Sequence, residues 1–312
     1  MRIIFMGTPE FAVASLKSLL EAGEEVVAVV TAPDKPAGRG QKLHQSAVKT
    51  FAVSRSIPVL QPLKLRDPAF LDELNALKAD LQVVVAFRML PEVVWNMPPQ
   101  GTVNLHASLL PQYRGAAPIN HAVINGETES GVTTFFLQHE IDTGNILFTQ
   151  KVNIGPADTA GDLHDKLMVI GASLLVKTVR AIADGKVEPV PQGRLAEGMT
   201  LKHAPKIFKE DCRIDWHKPV DEVFNLIRGL SPYPTAYTEL DGHTLKIFKA
   251  SKVKNLPGQP AGSYITDGIS FLKFACPDGY IELQEVQLAG RKRLNILEFL
   301  RGYRPNSVTI FS

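Results

Sequence analysis

The chain has two cysteines in 312 residues, Cys212 and Cys276. They are too few and too far apart for a zinc site or a disulfide framework, and each is expected to be a buried small hydrophobe. There is no uninterrupted apolar run of 18 residues, so no membrane-spanning helix is expected. The first residues, MRIIFMG, carry one charge and then a strand-like run without a signal-peptide cleavage pattern. A cytoplasmic location is the expectation. The first strand ends in Gly7-Thr8-Pro9 where a dinucleotide site would need G-x-G-x-x-G. No G-x-S-x-G elbow occurs, which disfavours a covalent acyl-enzyme and favours direct transfer between two bound substrates. His139-Glu140 lacks the second histidine of H-E-x-x-H, and His121 falls on a helix where a structural role suffices, so no metal is expected. Internal repeats and low-complexity segments are also missing.

Composition is otherwise that of a globular protein, with room for two domains. The net charge of +2 divides unevenly: residues 190–312 hold 17 Lys and Arg against 13 Asp and Glu, and the remainder 17 against 19. A mildly basic second half points toward an anionic partner, although such an excess is also ordinary on surfaces with no special task.

Along the chain, residues 2–6 form an apolar strand. Thr8 and Pro9 then suit a helix cap and first turn, and apolar residues recur at helical spacing up to Gly23. Residues 26–30 are apolar without interruption and, apart from Ala28, β-branched, as in a buried parallel strand. This β-α-β start predicts an open, mostly parallel sheet. The loop at 32–42 is dense in Pro, Gly and cations. Lys35, Arg39 and Lys42 either meet phosphates there or belong to a solvated loop. A helix over 46–55, a strand at 59–60, a helix from Asp67 to Leu77 and a strand over 81–86 continue the pattern. Strands at 102–106, 131–138 and 146–152 and a long helix from Asp158 or Thr159 to Gly185 complete it. Residues 189–208, rich in Pro and Gly, read as a linker between a domain over 1–188 and one over 209–312. The second opens with a helix over 220–230. Short strands divided by turn residues follow, as in a small OB-like β-barrel, with a last helix around 296–302.

The polar residues that stand out sit at strand ends. Asn104 and His106 are two apart on one strand and therefore share a face, with Val103 and Leu105 turned the other way. They either carry chemistry or satisfy loop backbone. Asp142, in a turn after the next strand, can converge with them, because ligands of open parallel sheets bind outside the carboxyl ends of the strands. Asn suits an oxyanion donor, His a proton carrier, and Asp an orienter of His or of water. Lys246, Lys249, Lys252 and Lys254, with Arg291, Lys292 and Arg293, make either a basic face on the barrel or a solvated surface.

The run Asn104-x-His106-x-Ser108-Leu-Leu-Pro111-x-Tyr-Arg-Gly115-Ala-Ala-Pro-Ile119, with Asp142-Thr-Gly144, resembles the folate-dependent formyltransferases. Five further pieces resemble the branch of that family acting on initiator tRNA. They are Met6-Gly-Thr-Pro-Glu-Phe11, Pro33-Asp-Lys-Pro-Ala-Gly-Arg-Gly40, Ala204-Pro-Lys-Ile207, Arg213-Ile-Asp-Trp216 and Ala289-Gly-Arg-Lys292. The resemblance implies a Rossmann-like transfer domain joined to an OB-like barrel in a monomer, with no metal. It implies 10-formyltetrahydrofolate as donor and the α-amine of initiator methionyl-tRNA as acceptor. Asn104, His106 and Asp142 would be the catalytic set: Asn104 and protonated His106 donate to the oxyanion, while Asp142 keeps His106 charged and relays the amine proton. Ser108, Leu109, Leu110 and Pro111 would line the folate site, bordered by Phe87, Arg88 and Met89. Arg39, with Lys35 and Lys42, would enter the acceptor stem, and Lys206, Arg291, Lys292 and Arg293 would hold the tRNA backbone. One stretch departs from the family pattern: Arg88-Met89-Leu90-Pro91 stands where a glycine and a slightly longer loop are expected. A formyltransferase for a nucleotide-linked amino sugar and a non-catalytic RNA-binding protein are the competing readings.

Overall fold

The computed structural model describes residues 1–37 and 42–303. The chain forms two compact units. The first comprises Met1–Gly115, Ser130–Val152 and His164–His203, and the second Ala116–Glu129, Asn153–Leu163 and the chain from Ala204 on.

In the first unit, β1 (Arg2–Gly7) leads to α1 (Glu10–Glu21) and β2 (Glu25–Val30). The cap expected at Thr8 is taken by Pro9, which makes no side-chain cap bond; Glu10 in the first turn complements the helix dipole instead. Two three-residue strands follow, β3 (Lys35–Ala37) and β4 (Lys42–His44), paired antiparallel where the sequence reads as a loop. Next come α2 (Ala47–Ser54), β5 (Val59–Leu60), α3 (Pro68–Ala76) and β6 (Leu81–Val85). Ser46 caps α2 through the Lys49 amide at 3.0 Å, and Asp67 caps α3 through the Ala69 amide at 3.0 Å with proline at the first helical position.

Then α4 (Glu92–Trp95), β7 (Thr102–His106) and β8 (Arg114–Gly115) precede α5 (Pro118–Ile124), which belongs to the second unit. The sheet is completed by β9 (Glu129–Phe136) and β10 (Ile146–Asn153). Its strand order is β10-β9-β7-β6-β1-β2-β5. The five strands from β7 to β5 run parallel and β9 pairs antiparallel with β7, which gives the Rossmann-like, mostly parallel sheet expected. The order reverses direction at β1, so the crevice beside it lies at the carboxyl ends of β1 and β6. Gly7, at the end of β1, serves close packing rather than a nucleotide: a Cβ there would lie 2.6 Å from Ala12 Cβ and 2.9 Å from the Val85 carbonyl oxygen. The strands are buried on both faces, as parallel strands are; all of β6 and the last five residues of β1 are buried.

The helix α6 (Ala160–Ala183) starts on a reciprocal cap. The Asp162 amide donates to Thr159 Oγ1 at 3.1 Å, and the Thr159 amide to Asp162 Oδ2 at 2.8 Å. The expected linker stretch contains α7 (Gln192–Ala196) and β11 (His203–Ala204).

In the second unit, α8 (Val220–Leu230) lies against an antiparallel sheet of the small-barrel kind. Its strands are β12 (Ala236–Leu240), β13 (His243–Val253), β14 (Tyr264–Thr266), β15 (Leu272–Cys276), β16 (Gly279–Leu288) and β17 (Leu294–Asn295), in the order β12-β13-β16-β15-β14 with β17 on β16. The helix α9 (Ile296–Gly302) follows. Trp216 stacks on Phe274 at 4.5 Å in a core with Val223, Ile227, Leu245 and Ile281. Among the described residues no helix is long and apolar enough to cross a membrane.

Candidate active site

The polar floor forms at the carboxyl end of β7. Thr102, Val103 and Leu105 are buried, and His106 is 7% exposed. Asn104 is half-buried, and among the described residues its side-chain amide has no hydrogen-bond partner. A strand therefore presents an unengaged amide donor on the same face as a buried imidazole.

The imidazole is oriented by backbone. His106 Nε2 lies 3.0 Å from the Tyr113 carbonyl oxygen. A carbonyl only accepts, so Nε2 carries hydrogen and donates. Tyr113 presents that oxygen from a left-handed backbone (φ 59°) while its amide donates to the Lys202 carbonyl at 2.7 Å. The ring also meets Phe135 edge-on, with centroids 6.5 Å apart. This leaves Nδ1 as the nitrogen with a changeable proton. It faces Asp142 Oδ2 at 3.9 Å, an ion-pair separation too long for a hydrogen bond.

Asp142 sits in the turn between β9 and β10 with φ 54°, a conformation that Asp tolerates better than most side chains. Its carboxylate accepts the Gly115 amide at 3.0 Å. Gln192 holds its backbone: Nε2 donates to the Asp142 carbonyl at 2.9 Å and to the Gly144 carbonyl at 2.8 Å. Gln192 Oε1 accepts Arg114 Nε and Nη2 at 3.0 and 2.7 Å. Nothing in the sequence pattern marks Gln192 or Arg114 for this; Gln192 is 50 positions from Asp142 in a stretch read as a linker. That stretch is bonded to the site's loops. Val190 and Ile146 exchange two 2.8 Å backbone bonds, Gln112 Nε2 donates to the Thr200 carbonyl at 3.1 Å, and the Lys202 amide donates to Gln112 Oε1 at 2.8 Å.

The segment Ser108–Pro111 runs from β7 toward that turn. Ser108 is fully buried and donates to the Gln112 carbonyl at 2.7 Å. Thr133, opposite His106 on β9, donates to the Ser108 carbonyl at 2.7 Å and accepts the Leu110 amide at 3.1 Å. Leu109 is half-buried, Leu110 and Pro111 are buried, and the Leu110–Pro111 bond is cis. At the neighbouring end of β6, Phe87 is half-buried and Met89 is 73% exposed. Arg88 folds back instead: Nη1 donates to the Leu63 carbonyl at 3.0 Å, Nη2 to the Pro62 carbonyl, and the guanidinium lies 5.7 Å from the Phe87 ring centre.

Of the cations, Arg39 and the Lys42 side chain lie outside the described residues, and Lys35 is exposed on β3. In the second unit the ammonium of Lys206 lies 5.4 Å over the Phe208 ring. Arg291 donates to the Gly302 carbonyl at 3.2 Å, and Lys292 is exposed beside it. Arg293 pairs with Glu285 at 2.5 Å and covers the Phe248 ring at 4.1 Å. Lys252 and Lys254 both pair with Asp221, the latter at 2.8 Å, which offsets part of the basic face. Among the described residues no group of three or more His, Cys, Asp or Glu is placed to hold a metal ion.

Two family models match the chain, formyl transferase over residues 1–179 and formyl transferase C-terminal domain over residues 206–304. A methionyl-tRNA formyltransferase of Bacteroides thetaiotaomicron is 55% identical over 309 residues, 97% of this chain and 96% of that protein. One of Parabacteroides distasonis is 56% identical over 311 residues, 97% and 96% of the two chains. Among solved structures, an N-formyltransferase of Helicobacter canadensis with folinic acid and dTDP-3-aminofucose has a TM-score of 0.66 at 21% identity, covering 94% of this chain and 99% of its own. HypX of Aquifex aeolicus with tetrahydrofolic acid has a TM-score of 0.65 at 19% identity, covering 99% of this chain and 49% of its own.

Proposed function

The chain belongs to the methionyl-tRNA formyltransferases of the formyltransferase family, and from that premise we propose how its own residues carry the reaction. The protein is a folate-dependent transferase that formylates the methionyl group of initiator tRNA. The donor in this reading is 10-formyltetrahydrofolate. The half-buried Phe87 and exposed Met89 beside a polar floor suit a flat ring system, and the donor supplies the formyl carbon and a nitrogen leaving group.

One observation carries the assignment of roles: the Asn104 amide has no protein partner among the described residues, on the strand face it shares with His106. Asn104 donates to the formyl oxygen as negative charge develops there. His106 keeps Nε2–H on the Tyr113 carbonyl throughout, so its proton is gained and lost at Nδ1 alone. Nδ1–H is the second donor to that oxygen. Asp142, 3.9 Å from Nδ1, takes the proton that the attacking amine must lose, directly or through water, for delivery to the leaving nitrogen. Ser108, Leu109, Leu110 and Pro111 form the wall of the donor site. No side chain is acylated.

On the tRNA side, Lys35, Arg39 and Lys42 reach the acceptor stem, while Lys206 and the Arg291–Lys292–Arg293 cluster meet phosphates of the body. Such binding weakens steeply with salt. The test is to offer the purified protein 10-formyltetrahydrofolate with charged initiator tRNA and, in parallel, a dTDP-linked amino sugar. Formylmethionyl-tRNA as the product supports the reading; a formylated sugar, or no transfer to tRNA, overturns it.

A further inference from the structure

Gln192 is 2% exposed, and all four hydrogen-bonding positions of its amide are used. The partners fix which end is which. A guanidinium only donates and therefore faces Oε1; two carbonyls only accept and therefore face Nε2. The bonds close a ring. The Asp142 carboxylate is held by the Gly115 amide, Gly115 follows Arg114, the Arg114 fork grips Gln192, and Gln192 returns to the Asp142 carbonyl. Both the charged end and the backbone of Asp142 are thus referred to one dipeptide, Arg114-Gly115.

We propose that Gln192, locked by Arg114, is a positioning residue for the transfer reaction that sets where the Asp142 carboxylate stands relative to His106. The proposal rests on the reading of Asp142 as the group that takes the amine proton. A buried amide needs its donors and acceptors met whatever its role; what singles out Gln192 is which segments supply them. Gln192 joins the segment after β7, whose Tyr113 carbonyl orients His106, to the turn after β9 that carries Asp142, and Asp142 Oδ2 lies 3.9 Å from His106 Nδ1.

Gln192→Glu is the discriminating substitution. It keeps shape and the grip of Arg114, but turns a carboxylate oxygen toward two carbonyl oxygens in place of two donated hydrogens. The turn is pushed away while the ion pair with Arg114 keeps the segment folded. The expected result is a kcat lower by about 10- to 100-fold, with KM for methionyl-tRNA and for 10-formyltetrahydrofolate within about threefold of wild type. Arg114→Lys, which loses the fork but retains charge, should show the same signature to a smaller degree and covers the case in which Gln192→Glu does not fold.

The decisive comparison is the cycle with Asp142→Asn, whose side-chain oxygen still accepts the Gly115 amide. Asp142→Asn alone should cost about 100-fold or more in kcat; normal turnover in it removes the underlying reading of the site. Given that loss, adding Gln192→Glu should change kcat by less than about threefold, because its route to the chemistry is already gone. If Gln192→Glu costs the same factor with and without Asp142, or leaves kcat unchanged in the wild-type background, the positioning role is overturned while the reading of Asp142 stands.

Discussion

Gly144→Ala tests how tightly the turn that carries Asp142 is built. A Cβ on Gly144 would lie 1.7 Å from the Phe136 carbonyl oxygen, 2.9 Å from the Phe136 carbonyl carbon and 3.1 Å from Phe135 Cδ2. An ordinary carbon–oxygen contact needs about 1.5 Å more than the first of these. Phe136 is the last residue of β9, and its amide bonds to the Asn145 carbonyl at 3.0 Å, so the opposing backbone belongs to the sheet. The turn must therefore move. Overpacking of this kind costs about 1–3 kcal/mol, which lowers the melting temperature by several degrees. The same movement acts on Asp142, two residues upstream, and on the Gly144 carbonyl that Gln192 holds at 2.8 Å. Misplacing a catalytic group by roughly 1 Å costs about a hundredfold in rate. Turnover per folded molecule should therefore fall far more than stability does. Differential scanning calorimetry and saturating formylation kinetics on the same preparation measure both. A variant that melts lower yet turns over normally per folded molecule would show that Asp142 does not depend on this turn.

Two further expectations concern titration. Asp34 is held below the ordinary carboxylate range, first by Lys49 and then by Gln61, Asp221 is held below it by Lys252 and Lys254, and Asp267 by hydrogen bonds from Ser270, Ile269 and Phe271 that outweigh its desolvation. Carboxylates depressed in the folded state contribute stability above their unfolded pKa and lose it as pH falls through the folded one. Urea midpoints should accordingly fall as pH drops below about 4, and less steeply in Asp221→Asn; a flat midpoint from pH 5 to 3 would contradict this. Burial pushes the Cys276 thiol up to about 12 and raises that of Cys212, and both are almost fully enclosed. Ellman's reagent at pH 8 should label neither in the native protein and both in guanidinium; rapid labelling of one native thiol would refute the burial.

The face shared by Asn104 and His106 is visible in the sequence because a strand alternates, and β7 runs over the residues that the alternation predicts. Caps at Ser46 and Asp67 are equally local: each needs one side chain and an amide two or three residues on. Thr8 fits the same rule and does not cap, since Pro9 takes the position just outside the helix. The β3–β4 pairing escapes because Lys35–Ala37 and Lys42–His44 carry no alternating apolar pattern. Which ring nitrogen of His106 carries a fixed hydrogen escapes for a different reason. It is set by the Tyr113 carbonyl, and backbone acceptors have no signature in side-chain order. Gln192 is the extreme case, because every partner it has is a carbonyl or a guanidinium brought in by tertiary folding.

The roles assigned to the strand face are tested most directly by the chemical step of Asn104→Ala. With no hydrogen-bond partner among the described residues to lose, the substitution should leave the melting temperature within about two degrees of wild type. Single-turnover formylation, with methionyl-tRNA and 10-formyltetrahydrofolate both saturating, isolates transfer from binding and release. Removing one donor to the developing oxyanion should raise the barrier by about 3–4 kcal/mol, a slowing of a hundredfold or more, with both affinities retained. A single-turnover rate within fivefold of wild type would contradict the account.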